Sequence, residues 1–309
     1  MKSSSVSMII PTYGGSNSLK RAIESVIDQN YGNFNIIVVD DNDPASIGRE
    51  KTISIMESYL DNEKIVYLQH EKNKNGSAAR NTGARASEAD YFCFIDDDDV
   101  SFLGRISEQV AFLDSHLEYD ACYCWSIYSG KKMTNSSTGD LTKSLLDLSF
   151  SPPTSTIMIR RSAFEFIGGF DETYRRHQDY EFLLRFYKHF KIGVVENVLV
   201  EKLTNEINNQ LSGQKLYELK KYFFENFSNE IENIERKEPG FKKVVYAAHF
   251  SYTCKELLRR GQVFLAAKTY FNYGYKGGTD FWRCLTTLIF NGLKKSLLRY
   301  YYETVKSKK

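Results

Sequence analysis

The stretch Tyr91-Phe92-Cys93-Phe94-Ile95-Asp96-Asp97-Asp98-Asp99 decides how this chain is read. Five apolar residues bounded by turn-forming residues read as a strand buried on both faces, and therefore as a parallel one. The four carboxylates then stand at its carboxyl end, the edge of an open α/β sheet at which ligands bind. Adjacent carboxylates repel one another, and the run contains no basic residue to relieve them. A divalent cation would. Side chains alternate along an extended segment, so Asp96 and Asp98 are expected to point the same way and to share one hard ion such as Mg²⁺ or Mn²⁺. The plainer alternative is a solvated acidic loop capping a helix that begins near Val100.

Upstream, the same rhythm repeats. Val6 to Ile10 is an apolar run closed by Pro11-Thr12-Tyr13-Gly14-Gly15, and Leu19, Ala22, Ile23, Val26 and Ile27 recur on one helical face. Phe34 to Val39 is a second buried strand ending in Asp40-Asp41, which completes a right-handed βαβ unit. A helix over 47–60, a strand over 64–69 and a helix over 77–86 bring the chain to the aspartates. Downstream, a helix over 100–117 and strands over 121–128 and 154–159 follow, the latter two separated by a hairpin-like turn. Then come a Gly168-Gly169 break, the run Arg175-Arg176-His177-Gln178-Asp179-Tyr180, a helix over 181–190 and a last strand over 192–200. Alternating strands and helices predict a nucleotide-binding α/β fold, with a mostly parallel mixed sheet flanked by helices over residues 1–205.

Residues 206–309 read differently, as helices over 215–235, 242–259, 262–273 and 281–302. Their end is basic and aromatic, with Trp282, Arg283, Phe290, Lys294, Lys295 and Arg299. Such a segment suits an anionic membrane surface or, equally, a helix packed on the domain with a solvated basic face. The composition is that of a folded protein: of 309 residues, 42% are hydrophobic and 26% charged. The net charge of +2 gives no argument for a nucleic-acid partner. Five cysteines without a CxxC pair, and no run of about twenty apolar residues, lead us to expect a reduced, cytoplasmic protein, peripheral at most on the inner face of the cell membrane. The N-terminus lacks the apolar core of a signal peptide.

Pro11-Thr12-Tyr13, Val38-Val39-Asp40-Asp41, Ala79-Arg80-Asn81, Phe94-Ile95 with the four aspartates, Gly168-Gly169-Phe170-Asp171-Glu172 and His177-Gln178-Asp179-Tyr180 occur in one order. That order resembles family 2 glycosyltransferases of the GT-A fold, in particular bacterial enzymes of capsular, lipopolysaccharide or wall polysaccharide synthesis, over about residues 5–200. The resemblance implies an inverting, metal-dependent transfer of a hexose or N-acetylhexosamine from a UDP-sugar to a saccharide acceptor, expected to be lipid-linked. It assigns Pro11, Thr12, Tyr13, Asp40, Arg80, Asp96 and Asp97 to the nucleotide, with Tyr13 flanking the pyrimidine, Asp40 accepting its N3–H and Arg80 on the base side. Asp98, with Asp96, would hold Mn²⁺ or Mg²⁺, and Asp97 should matter least of the four. Asp99, Arg175, Arg176, His177 and Gln178 would meet the donor, its diphosphate or the acceptor.

Asp179 is the expected general base, kept ionised at a helix start. Many members carry Glu-Asp where this chain has Gln178-Asp179, and Asn where it has Gly14. Two rivals remain. A nucleotidyltransferase would want a basic Gly-rich phosphate loop after the first strand, and Gly14-Gly15-Ser16 lacks Arg and Lys. A non-catalytic, membrane-docked binding or scaffold protein would have no need of Asp96, Asp98 and Asp179.

Overall fold

The computed structural model describes residues 3–15, 17–203 and 213–290. The chain divides into two compact units, residues 1–142 with 150–208 and residues 143–149 with 209–309. The first begins as the apolar runs dictate: β1 (Val6–Thr12), α1 (Leu19–Ile27), β2 (Phe34–Asp40), α2 (Ile47–Met56), β3 (Ile65–Gln69), α3 (Gly76–Arg85) and β4 (Tyr91–Phe94). It continues with β5 (Val100–Ser101), α4 (Arg105–Ser115), β6 (Ala121–Tyr128) and β7 (Lys131–Met133); α5 (Thr142–Leu146) then belongs from residue 143 to the second unit, and the first resumes with β8 (Ile157–Arg160), α6 (Arg161–Phe166), α7 (Gln178–Tyr187) and β9 (Ile192–Lys202).

The strands form one mixed sheet in the order β3-β2-β1-β4-β8-β6-β9-β5, with β7 paired to β6. The first four are parallel, and β8 is antiparallel to both its neighbours. This is the α/β architecture expected from the sequence. Met8, Ile10, Ile36, Val38 and Cys93 share one buried cluster with Leu19, Ile23 and Val26 of α1, so burial of one sheet face fixes the register. On the other face α3 lies close to β1: a Cβ on Gly83 would stand 2.6 Å from Ile9 Cγ2. Because Met8 pairs with Cys93 and Ile9 with Phe94, the aspartates after β4 emerge beside Thr12 at the carboxyl edge.

Three elements depart from the expected boundaries. The helix placed near Val100 starts at Arg105, because Val100–Ser101 pairs with β9 and Gly104, at φ +91°, turns the chain first. The strand expected over 154–159 opens instead with a 3₁₀ turn at Thr154–Thr156, where Thr156 donates its N–H and its hydroxyl to Pro153 O. The helix expected over 181–190 begins at Gln178, which puts Asp179 in its first turn.

The second unit contains α8 (Gln214–Lys237), α9 (Phe241–Arg259), α10 (Val263–Asn272) and a helix over 278–290. Phe223, Phe224, Phe250, Leu257, Phe281 and Leu285 fill its core, and Phe250 stacks on Tyr273 at 4.6 Å. Polar side chains are buried with them, Lys220 and His249 among them. Lys220 Nζ lies 3.1 Å from His249 Nδ1, and His249 Nε2 lies 2.9 Å from Leu146 O. The helix expected over 281–302 is described as far as residue 290, and the remainder lies outside the described residues. Among the described residues no helix is long and apolar enough to cross a membrane. All five cysteines are free thiols.

Candidate active site

The acidic run is a turn rather than an extended segment: Asp99 N–H donates to Asp96 O at 3.1 Å. The turn, not strand alternation, therefore brings Asp96 and Asp98 together, and it adds Asp99. Carboxylate oxygens of Asp96, Asp98 and Asp99 lie within 4.8 Å of one another. Asp97 turns aside and accepts the Thr12 hydroxyl at 2.6 Å. The turn is anchored from behind, where Arg105 donates to Phe94 O at 2.9 Å and the Ser155 hydroxyl accepts Asp96 N–H at 3.1 Å.

Charge in the turn is balanced unevenly. Arg80 reaches Asp96 Oδ1 at 2.5 Å, and Lys202, the last residue of β9, reaches Asp99 Oδ2 at 2.5 Å and Asp96 Oδ2 at 3.7 Å. Burial alone would raise the Asp96 carboxyl, but Arg80 and Lys202 outweigh it and hold the group below its ordinary range. Burial works against the Lys202 charge, yet Asp96 and Asp99 hold its ammonium above the ordinary lysine value. Asp97 and Asp98 are pushed up, to about 7 and about 6, by burial and then by neighbouring carboxylates. Among the described residues no cation forms an ion pair with Asp98. A cluster of three oxygen donors with uncompensated negative charge suits a hard divalent cation, and Asp96, Asp98 and Asp99 are the side chains that would hold it.

Asp40 is enclosed by polar partners. Its side chain is wholly buried at the end of β2: Oδ1 accepts Asn42 N–H at 2.9 Å and Asn42 Nδ2 at 2.6 Å, while Oδ2 meets the Tyr67 hydroxyl at 2.6 Å and Arg49 Nε at 3.1 Å. Three hydrogen bonds and the Arg49 ion pair tie it to the strand end. Asp41 plays a similar part, accepting Asn73 Nδ2, Lys74 N–H and Asn75 N–H at 2.7–2.9 Å beside His70. It thereby shapes the loop before α3, in which Asn75, at φ +103°, caps the helix through Ser77 and Ala78. Tyr13 differs from both. It is 62% exposed beyond Thr12 and Pro11 at the same edge, open to a planar ring.

Arg80 links two parts of the site. Besides Asp96 it donates to Gln178 Oε1 at 3.2 Å, so it joins the acidic turn to the start of α7. Gln178 Nε2 in turn donates to Tyr174 O at 3.0 Å. The neighbouring Asn81 clamps the loop before α7, accepting Phe170 N–H at 2.9 Å and donating to Phe170 O at 2.8 Å and Glu172 Oε1 at 3.0 Å. Gly169 makes that clamp possible: it adopts φ +72°, and a Cβ there would fall 2.6 Å from Asn81 Oδ1.

A cleft of about 220 Å³ results, lined by Arg80, Asp96, Thr154, Arg175, Arg176, His177, Gln178 and Asp179. Asp179 Oδ1 accepts the Tyr180 N–H at 3.0 Å. Burial raises its carboxyl above the ordinary value, against that hydrogen bond and the charge of Arg80. His177, at φ +56°, precedes it with its ring edge-on to Tyr180 at 5.2 Å. The structure thus gathers the expected residues 175–179 with Asp96 and Arg80, and it adds Lys202 and Ser155, which local sequence did not single out. Lys202 lies 103 residues from Asp99 and only the sheet order joins them.

The sequence pattern that defines glycosyl transferase family 2 matches residues 7–168. An uncharacterised glycosyltransferase of Rickettsia prowazekii is 31% identical over 227 residues, which cover 67% of this chain and 68% of that protein. The amylovoran biosynthesis glycosyltransferase AmsB of Erwinia amylovora is 31% identical over 200 residues, 60% of this chain and 64% of that protein. In three dimensions the chain is similar to S. aureus TarS 1-349, solved in complex with UDP-GlcNAc: the TM-score is 0.59 at 18% identity, covering 93% of this chain and 92% of that one. Since the defining pattern spans more than half of the chain and takes in both the β1 edge and the acidic turn, the protein belongs to glycosyl transferase family 2 and is a glycosyltransferase.

Proposed function

We propose that the protein transfers a hexose or N-acetylhexosamine from a UDP-sugar to a saccharide acceptor, lipid-linked, in the synthesis of a bacterial surface glycan, with inversion at the anomeric carbon. The observation that carries this reading is the cleft in which Asp179 and Asp96 face a common space beside Arg80. The uridine base rests on the TarS complexes with UDP and UDP-GlcNAc, and the glycan class on AmsB.

In this reading the exposed Tyr13 flanks the base. Arg175, Arg176 and His177 supply donors along the cleft toward the diphosphate, whose negative charge grows as the glycosidic bond breaks. Mn²⁺ or Mg²⁺ on Asp96, Asp98 and Asp99 would neutralise that leaving group as a Lewis acid. Asp179 takes the proton of the acceptor hydroxyl as its oxygen attacks C1; the C1–O bond to the diphosphate breaks, and the electron pair leaves with UDP. Its raised carboxyl makes it a stronger base than an exposed aspartate, while the start of α7 favours its ionised form. Inversion follows from a single displacement.

The test is a thermal-shift series with UDP, GDP, CDP, ADP and dTDP, each with and without Mn²⁺, followed by release of UDP from UDP-sugars. At a concentration of about 100 Kd a ligand adds about 2.7 kcal/mol to the folded state, a shift of roughly 5–10 °C for a domain of this size. A shift confined to UDP with Mn²⁺ is expected. Equal shifts with all five nucleotides, or none, would overturn the UDP assignment.

A further inference from the structure

Among the described residues, the second unit leaves an apolar face exposed. On α10, Ala266 and Thr269 turn inward, while Val263, Phe264 and Phe271 point to water, Phe264 at 94% exposure and Phe271 at 72%. The helix over 278–290 repeats the arrangement: Phe281 and Leu285 are buried, and Trp282, Ile289 and Phe290 are exposed. The two exposed faces meet at Tyr270, whose ring lies 5.1 Å from Trp282 and 5.4 Å from Phe271. Each helix follows the 3.6-residue period of an amphipathic element, with an outward apolar stripe.

Charge says what this face suits. Residues 257–309 contain eleven Lys and Arg but only Asp280 and Glu303 as acids, a balance of +9; with the whole chain at +2, the other 256 residues sum to −7. Asp280 is itself neutralised by Lys243 at 3.1 Å. Lys268 on α10, Lys276 in the turn that follows it and Arg283 on the helix over 278–290 are exposed. Large apolar side chains, aromatic rings of headgroup-seeking type and unopposed basic residues on one surface are the chemistry of an interfacial helix on an anionic bilayer. A symmetric contact between two copies through this face would bring like charges together.

We propose that α10 and the helix over 278–290 form a membrane-docking face, which inserts Phe264, Phe271 and Trp282 to headgroup depth in an anionic bilayer while Lys268, Lys276 and Arg283 meet lipid phosphates. The proposal stands independently of the donor and acceptor proposed above. It extends the expected basic, aromatic C-terminal end to α10, which the sequence reading treated only as one helix of the unit.

The test is co-flotation of the full chain with vesicles containing about one-third phosphatidylglycerol, against vesicles of phosphatidylcholine alone. Binding to the anionic vesicles, reversed by about 0.5 M NaCl, is expected. The double variant Phe264→Ser/Phe271→Ser should lose at least about tenfold in partitioning, while its melting temperature and donor hydrolysis stay at the wild-type level because both rings are already exposed. Absence of binding to either vesicle, or equal binding by the double variant, would overturn the docking face. So would sedimentation velocity in which the wild type is a dimer and the double variant a monomer, since the rings would then serve a second copy of the chain. Loss of donor hydrolysis with docking intact would bear on the proposed function and not on this face.

Discussion

Lys220 is a buried lysine whose Nζ lies beside His249 Nδ1, and replacing it should stabilise the second unit. Burial in α8 pulls its titration from 10.5 down to about 7. That gap, at 1.36 kcal/mol per pH unit, sets an upper limit of about 5 kcal/mol on the cost of folding a chain whose unfolded lysine is charged. The sign follows from proton counting. Between pH 7 and 10.5 the unfolded state binds the extra proton, so stability rises with pH across that window, and the full cost is present below pH 7. In Lys220→Met the cost disappears, about 1 kcal/mol is lost with the hydrogen bond to His249 Nδ1, and the methionine fills the same apolar space. The variant is therefore expected to be more stable than wild type by about 2–4 kcal/mol at pH 7, with most of that gain gone at pH 9. Urea unfolding of the full chain, followed by helical circular dichroism at both pH values, reads the difference directly. A gain that is the same at pH 7 and pH 9, or a variant less stable at pH 7, would refute the reasoning.

Two further substitutions address the first unit. Asp179→Asn should lower transfer by about 10²–10⁴ while leaving UDP affinity with Mn²⁺ within about twofold. In the wild type the rate should fall on the acid side at a pH above the ordinary carboxylate range, since burial raises the group that must be ionised; unchanged turnover in the variant removes Asp179 from the base role. Lys202→Met strips the cation from Asp99 and should cost about 3 kcal/mol in metal-free buffer, with Mn²⁺ returning more stability to the variant than to wild type; identical Mn²⁺ shifts in the two proteins would sink the idea that ammonium and metal ion serve the same carboxylates.

The parallel half of the fold was legible because a strand buried on both faces must be apolar throughout, as β1, β2 and β4 are. Pattern failed where a local turn overrode it. Apolar residues from Val100 onward fit a helical period, but Gly104 and the pairing of β5 with β9 delay the helix to Arg105. Proximity of residues 96 and 175–179 was legible only through the resemblance, since no spacing links them. Asp40 shows the converse limit. A carboxylate at a strand end looks the same in sequence whatever holds it, and its partners Tyr67 and Arg49 are brought by β3 and α2. Lys202 carried no signal, being one lysine in a chain that has forty-one basic residues.

The grip of Asn81 on Phe170 and Glu172 also bears on how this enzyme can be re-engineered. The segment leading to α7 looks like an exchangeable cassette, a piece to swap between relatives in order to change the acceptor. Yet its backbone is held in shape by a side chain from a helix some ninety positions earlier, and Gln178, where it enters α7, shares a guanidinium with the acidic turn. A graft of residues 168–179 that leaves positions 80 and 81 unmatched imports a loop without its template. Productive chimeras would have to move α3 and that loop as one inheritance unit, and random libraries in either should uncover compensating changes in the other.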